Sequence, residues 1–131
     1  MMKGVNAMRQ LVEAILENLS TREVFLFRVL CACCGTEYGN TPRRFSKAGI
    51  EPENRNRQII FDALYEQEFR LAREFSLREA AEHMNHCPIC KRLVCNGCFM
   101  ICEDLDMCCE CAEKLGQTGQ IVLHGIVDAA G

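Results

Sequence analysis

The stretch His86–Cys98, HCPICKRLVCNGC, places four cysteines in thirteen residues in the pattern C-x2-C-x4-C-x2-C. Two residues between cysteines let the chain turn tightly enough for both sulfurs to face one ion. Two such knuckles supply the four soft ligands that tetrahedral Zn²⁺ takes. The same spacing recurs upstream at Cys31/Cys34 in CACC and downstream at Cys108/Cys111 in CCEC. The candidate ligands are therefore Cys31, Cys34, Cys87, Cys90, Cys95, Cys98, Cys108 and Cys111. They suffice for two four-cysteine sites and two Zn²⁺ per chain, with Fe the second choice.

Three of the eleven cysteines remain. Cys33 and Cys109 lie inside knuckles, and using either as a ligand would break the spacing. Cys102 reads as a small buried apolar residue. His83 and His86 precede the second knuckle and are expected beside a site rather than in it. Two pairings are open. The sequential one joins 31/34 with 87/90 and 95/98 with 108/111. The cross-braced one joins 31/34 with 95/98 and 87/90 with 108/111.

Many cysteines mean either a disulfide framework or metal in a reducing compartment. The count is odd, and Arg9, Glu13 and Glu17 interrupt the apolar residues of the first twenty positions. That opening does not read as a secretory leader, and no 18-residue apolar window suggests a membrane span. A cytoplasmic, reducing setting with no membrane partner is the expectation. The 131 residues are 49% hydrophobic and 25% charged, which suits one folded domain.

Around the knuckles the chain divides into an amphipathic helix (1–20), a two-zinc domain (23–115) with a loop and helical insert at 35–86, and a C-terminal strand or tail (116–131). Within the first helix Val5, Met8, Leu11, Val12, Ile15, Leu16 and Leu19 share one face over 3–19. That face would pack on the protein's own core or, through residues 5–19, on a second copy. EVFLFRVL (23–30) has strand composition. Residues 35–57 read as loop and carry the cations Arg43, Arg44, Lys47, Arg55 and Arg57. Helical spacing at Ile60, Phe61, Leu64, Leu71, Ala72 and Phe75 predicts a helix over 58–85. Ser76-Leu-Arg-Glu79 would either cap a second helix there or place a solvent-facing Ser inside one long helix. CAEKLG predicts a short helix ended by Gly116, QIVLHGIV a final strand, and DAAG a loose end.

CPICKRLVCNGC resembles the middle of FYVE-type and PHD-like zinc fingers, over roughly residues 29–115. The resemblance implies a tight β-hairpin in the KRLV link and flanking knuckles serving different zincs, as in a cross-braced treble clef. The fifty or so residues between the first two knuckles would then be an insertion. No basic residue accompanies His83 and His86, so phosphoinositide binding is not implied. CACCGTEYG and CPIC are also similar to rubredoxin and zinc-ribbon knuckles, with Gly35 after the first pair and Tyr38 beyond it. That resemblance implies sequential pairing and admits Fe, although Lys91 stands where the second glycine would be. The expected fold class is thus small α+β: a two-zinc knuckle domain, as cross-braced treble clef or double zinc ribbon, with a long helical insert.

Eight thiolates and two Zn²⁺ would carry the formal charge from -3 to about -7. Lys91, Arg92, Arg43 and Arg44 are candidates to offset it, and the acidic CEDLDMCCE could face the basic loop. Closed four-thiolate sites activate no water, and no catalytic motif is present in the sequence. The expectation is a non-enzymatic structural zinc protein, acting as a protein–protein interaction adaptor or small regulator. The alternatives are a nucleic-acid-associated finger using the 43–57 loop, or an Fe or thiol redox protein.

Overall fold

The computed structural model describes residues 3–123 and 126–127. The expected loose end at 128–131 lies outside the described residues. Helix α1 spans Lys3–Ile15. Val12 is fully buried, with Met8, Leu11 and Leu16 packed around it. These four residues of the stripe thus face the protein's own core, whereas Ile15 and Leu19 are each 42% exposed. The helix stops short of the expected residue 19 because Glu17–Asn18 form a strand, β1, paired with Arg28 and Phe27. Arg28 secures the pairing with ion pairs to Glu17 at 2.7 Å and Glu37 at 3.0 Å.

EVFLFRVL is not one strand but two, β2 (Val24–Phe25) and β3 (Phe27–Leu30). Leu26 separates them. Its N–H donates to Ser20 Oγ at 2.9 Å, and its carbonyl accepts from Leu19 N–H at 2.8 Å. The strand β3 lies between β1 and β4 (Glu37–Tyr38), while β2 pairs with β5 (Arg43–Arg44). The segment read as loop therefore contributes two strands.

Helix α2 runs without a break from Arg55 to Ala81, 27 residues or about 40 Å. The Asn54 side chain caps it by accepting from Arg57 N–H at 2.9 Å. Ser76 does not start a second helix, nor does it face solvent. It is buried, and Glu79 accepts from the Thr41 hydroxyl instead of capping. The cause is close packing of Gly39 on this turn. A Cβ on Gly39 would lie 2.7 Å from the Ser76 carbonyl oxygen and 3.1 Å from Ala80 Cβ. The buried face accordingly comprises Phe61, Ala72, Ser76, Leu77 and Ala80. Ile60 and Leu71, expected inside, are 48% and 65% exposed.

Beyond residue 81 the chain becomes strand, where helix was expected up to 85. Strand β6 (Met84–His86) pairs antiparallel with β7 (Leu93–Cys95). Strand β8 (Phe99–Cys102) then pairs with β9 (Met107–Cys108) and with β10 (Gly119–Leu123). Helix α3 (Cys109–Lys114) follows β9, and Gly116, at φ +67°, ends that turn as expected. QIVLHGIV forms two strands, β10 and β11 (Ile126–Val127), rather than one.

Two cores result. Phe25, Phe27, Phe45 and Ala72 cluster with Tyr65 and Phe69. Phe25 and Tyr65 have ring centroids 5.0 Å apart, and Phe27 and Phe69 5.3 Å. The second core gathers Val12, Val29, Leu77, Ala80, Met84 and Val94 against the cysteines. Among the described residues, no helix is long and apolar enough to cross a membrane.

Candidate metal centres

The first two knuckles are built alike. In the first, β3 leads into Cys31–Cys34 and the chain returns as β4. Cys31 N–H donates to the Thr36 carbonyl at 3.0 Å, and Gly35 N–H to the Cys31 carbonyl at 2.9 Å. In the second, β6 leads into Cys87–Cys90 and returns as β7. Cys87 N–H donates to the Arg92 carbonyl at 2.9 Å, and Lys91 N–H to the Cys87 carbonyl at 2.8 Å. Gly35 (φ +76°) and Lys91 (φ +66°) occupy the same left-handed position. The knuckle is thus the tip of the hairpin, and KRLV supplies its turn exit and return strand rather than a hairpin of its own. Lys91 fills the place where a glycine was missed, because the two hydrogen bonds impose that conformation whatever the side chain.

The other two knuckles use different scaffolds. Cys95 ends β7, and a single 3₁₀ turn, Asn96–Cys98, carries Cys98. Cys108 is the N-cap of α3, its sulfur accepting from Cys111 N–H at 3.5 Å.

The sulfurs gather as Cys31, Cys34, Cys95 and Cys98, and as Cys87, Cys90, Cys108 and Cys111. The order is cross-braced, and the sequential pairing is not what the structure shows. Cys34 and Cys95 sulfurs are 3.7 Å apart, Cys87 and Cys111 3.8 Å, and Cys90 and Cys108 3.8 Å. Bonds of about 2.3 Å in a tetrahedron put sulfurs about 3.8 Å apart, so both groups could hold metal ions. Backbone N–H groups already point at the sulfurs. Cys31 accepts from Cys34 at 3.4 Å and Cys95 at 3.2 Å, and Cys87 accepts from Cys108 at 3.4 Å.

The electrostatics single out Cys34 in the first group and Cys87 and Cys90 in the second, where burial raises Cys87 but backbone N–H groups of Cys108, Cys90 and Ile89 bring it below the ordinary thiol range. The Thr36 hydroxyl and backbone lower the Cys34 thiol to about 6. Burial pushes Cys90 up, but hydrogen bonds from the Arg92 side chain and backbone outweigh it, leaving Cys90 at about 6. Burial raises Cys95 and Cys98, and pushes Cys111 up to about 12. Each group thus combines thiols held low by hydrogen bonds with thiols raised by burial, which metal would have to deprotonate.

Of the cations expected near sulfur, Arg92 is placed there. Its Nε lies 3.2 Å from Cys90, its terminal nitrogen 3.9 Å from Cys108, and Glu110 pairs with it at 2.5 Å. Glu110 thereby meets Arg92 and not the basic loop. Arg43 lies 3.9 Å over the Phe75 ring instead. Cys102 is buried as expected, and its N–H donates to Asp106. His83 stacks on Tyr38 with centroids 5.3 Å apart, and neither His83 nor His86 joins a cysteine group.

Sequence reasoning missed one grouping. Cys33 and Cys109, set aside for their spacing, lie within 4.8 Å of each other and of Cys98. Their positions inside facing knuckles were the available signal.

The described chain is a small α+β protein with two four-cysteine groups that could hold metal ions, consistent with a zinc-finger-like module. Comparison with family models, curated proteins and solved structures finds no match to it.

Proposed function

We propose that this chain is a structural two-zinc protein, a cross-braced treble-clef module whose surface serves as a protein–protein interaction adaptor. The observation that carries the reading is the pair of complete four-sulfur groups. A four-thiolate tetrahedron leaves no open position for water or substrate, so the metal acts as a clamp and not as a catalyst. Each zinc contributes on the order of 10–16 kcal/mol of apparent binding free energy, comparable to the whole net stability of a small domain.

The adaptor reading draws on the face away from the cysteines. An open groove of about 950 Å³ runs between the 45–52 turn and α2, floored by Phe45, Phe61, Tyr65 and Phe69. Ile50, Ile59 and Leu71 stand exposed on the same loop and helix, at 53%, 60% and 65%. Two of the five cations a nucleic-acid reading would use, Arg43 and Arg57, lie over the Phe75 and Phe61 rings. The apolar groove, rather than those cations, is what favours protein over nucleic acid as partner.

The experiment is native mass spectrometry with metal analysis, before and after a chelator. Two zincs per chain, and unfolding when they are removed, are expected. Fewer than two metals, or an iron–thiolate absorption band, refutes the structural-zinc reading. Ile50→Asp with Leu71→Asp should abolish association with protein partners while leaving zinc content at two. Unchanged association removes the adaptor role. Binding to nucleic acid that weakens steeply with salt would replace it.

A further inference from the structure

Cys33, Cys98 and Cys109 come from three different knuckles, yet their sulfurs all lie within 4.8 Å of one another. Cys33 and Cys109 belong to neither four-sulfur group, and all three residues are half-buried. Among the described residues no imidazole or carboxylate joins them. A donor set of three sulfurs and nothing else does not complete the four-coordinate shell that Zn²⁺ takes in structural sites. It does suit a soft d¹⁰ monovalent ion, for which thiolates select strongly and three ligands suffice.

We propose that Cys33, Cys98 and Cys109 form an accessory three-thiolate site for copper(I), sharing Cys98 with the first four-sulfur centre. A thiolate keeps lone pairs after binding one metal, so Cys98 can bridge zinc and copper while Cys33 and Cys109 serve copper alone. A terminal nitrogen of Arg92 lies 4.0 Å from the Cys33 sulfur, where its charge offsets the added thiolates. Partial exposure of all three residues gives the ion an entry path. Binding is ligand exchange: Cu⁺ breaks its bonds to the bicinchoninate carrier as it forms bonds to sulfur, the Cys33 and Cys109 thiols release their protons to the buffer, and no electron is transferred.

The inference rests on the two-zinc reading, and the test separates the two. Zinc-loaded protein is counted for metal, then titrated anaerobically with copper(I) held by bicinchoninate. One copper per chain with both zincs retained is expected, with a thiolate-to-copper charge-transfer band in the ultraviolet. Cys33→Ser and Cys109→Ser should each keep two zincs and lose at least tenfold in copper affinity. The two residues lie on separate knuckles, so a folding failure in one variant leaves the other as the test. Zinc released in step with copper uptake, no uptake at all, or equal uptake by both variants overturns the site. Fewer than two zincs before titration overturns the underlying reading as well.

Discussion

Cross-bracing makes a prediction about which pairs of cysteines fail together. Cys34 and Cys95 sulfurs share a group at 3.7 Å, whereas Cys34 and Cys90 belong to different groups. A structural zinc worth on the order of 12 kcal/mol, divided over four thiolates, gives about 3 kcal/mol per sulfur, or roughly a hundredfold in affinity. Cys34→Ser with Cys95→Ser removes two ligands from one site, about ten-thousandfold in all, and leaves the other intact. Cys34→Ser with Cys90→Ser weakens both sites by about a hundredfold each. Against a competing chelator set between the intact and the hundredfold-weakened affinity, the first double variant should hold one zinc and the second none. Native mass spectrometry reads the count directly. One zinc on the Cys34/Cys90 variant and none on the Cys34/Cys95 variant would mean sequential pairing, and would refute the geometry.

Arg92→Ala should weaken the second site about tenfold and spare the first, read by site-resolved cobalt or cadmium substitution; equal weakening of both sites refutes the Arg92 assignment. Gly39→Ala adds a left-handed penalty to a close contact with the Ser76 turn and should cost about 3 kcal/mol. Gly116→Ala, with open space around it, should cost about 1 kcal/mol, and equal costs in denaturant titrations of the zinc-loaded protein would deny the packing argument. Thiols lowered to about 6 at Cys34 and Cys90 stay charged above that value. Their contribution is fully present above the ordinary thiol range and is lost as pH falls through about 6. In the metal-free protein, alkylation at Cys34 should therefore persist down to about pH 6 while Cys111, pushed up to about 12, reacts only in strong base, and the same pH dependence at both counts against the assignment.

The knuckles were legible because C-x-x-C is a local geometric device: each pair of sulfurs converges through its own turn. Spacing alone left the pairing open, with one resemblance implying the cross-brace and the other the sequential order, since it depends on where a 27-residue helix returns the chain. That depends on contacts such as Gly39 against Ser76 and Ala80, which no periodicity encodes. The same contact explains why Ser76 looked like a cap and is instead a small residue making room. EVFLFRVL read as one strand because composition cannot show that the Ser20 hydroxyl would claim the backbone of Leu26. Helical spacing found α2 but drifted in phase, as the buried face passes from the aromatic core at Phe61 to the cysteine core at Leu77. Cys33 and Cys109 were discarded on spacing within a knuckle, whereas their meeting depends on spacing between knuckles.

The cross-brace also sets an order of assembly. The second site joins Cys90 to Cys108, 18 positions apart, while the first joins Cys34 to Cys95, 61 apart. Closing the longer loop costs about 1 kcal/mol more in chain entropy, so the downstream site should load first and hold Cys95 near its place. During synthesis the first knuckle emerges long before its partner. At 5–20 residues per second it waits roughly three to twelve seconds with three open thiols. Those seconds are when CACC is most exposed to oxidation or to capture by the wrong ion, and the rate of translation through α2 becomes part of how faithfully the protein takes up metal.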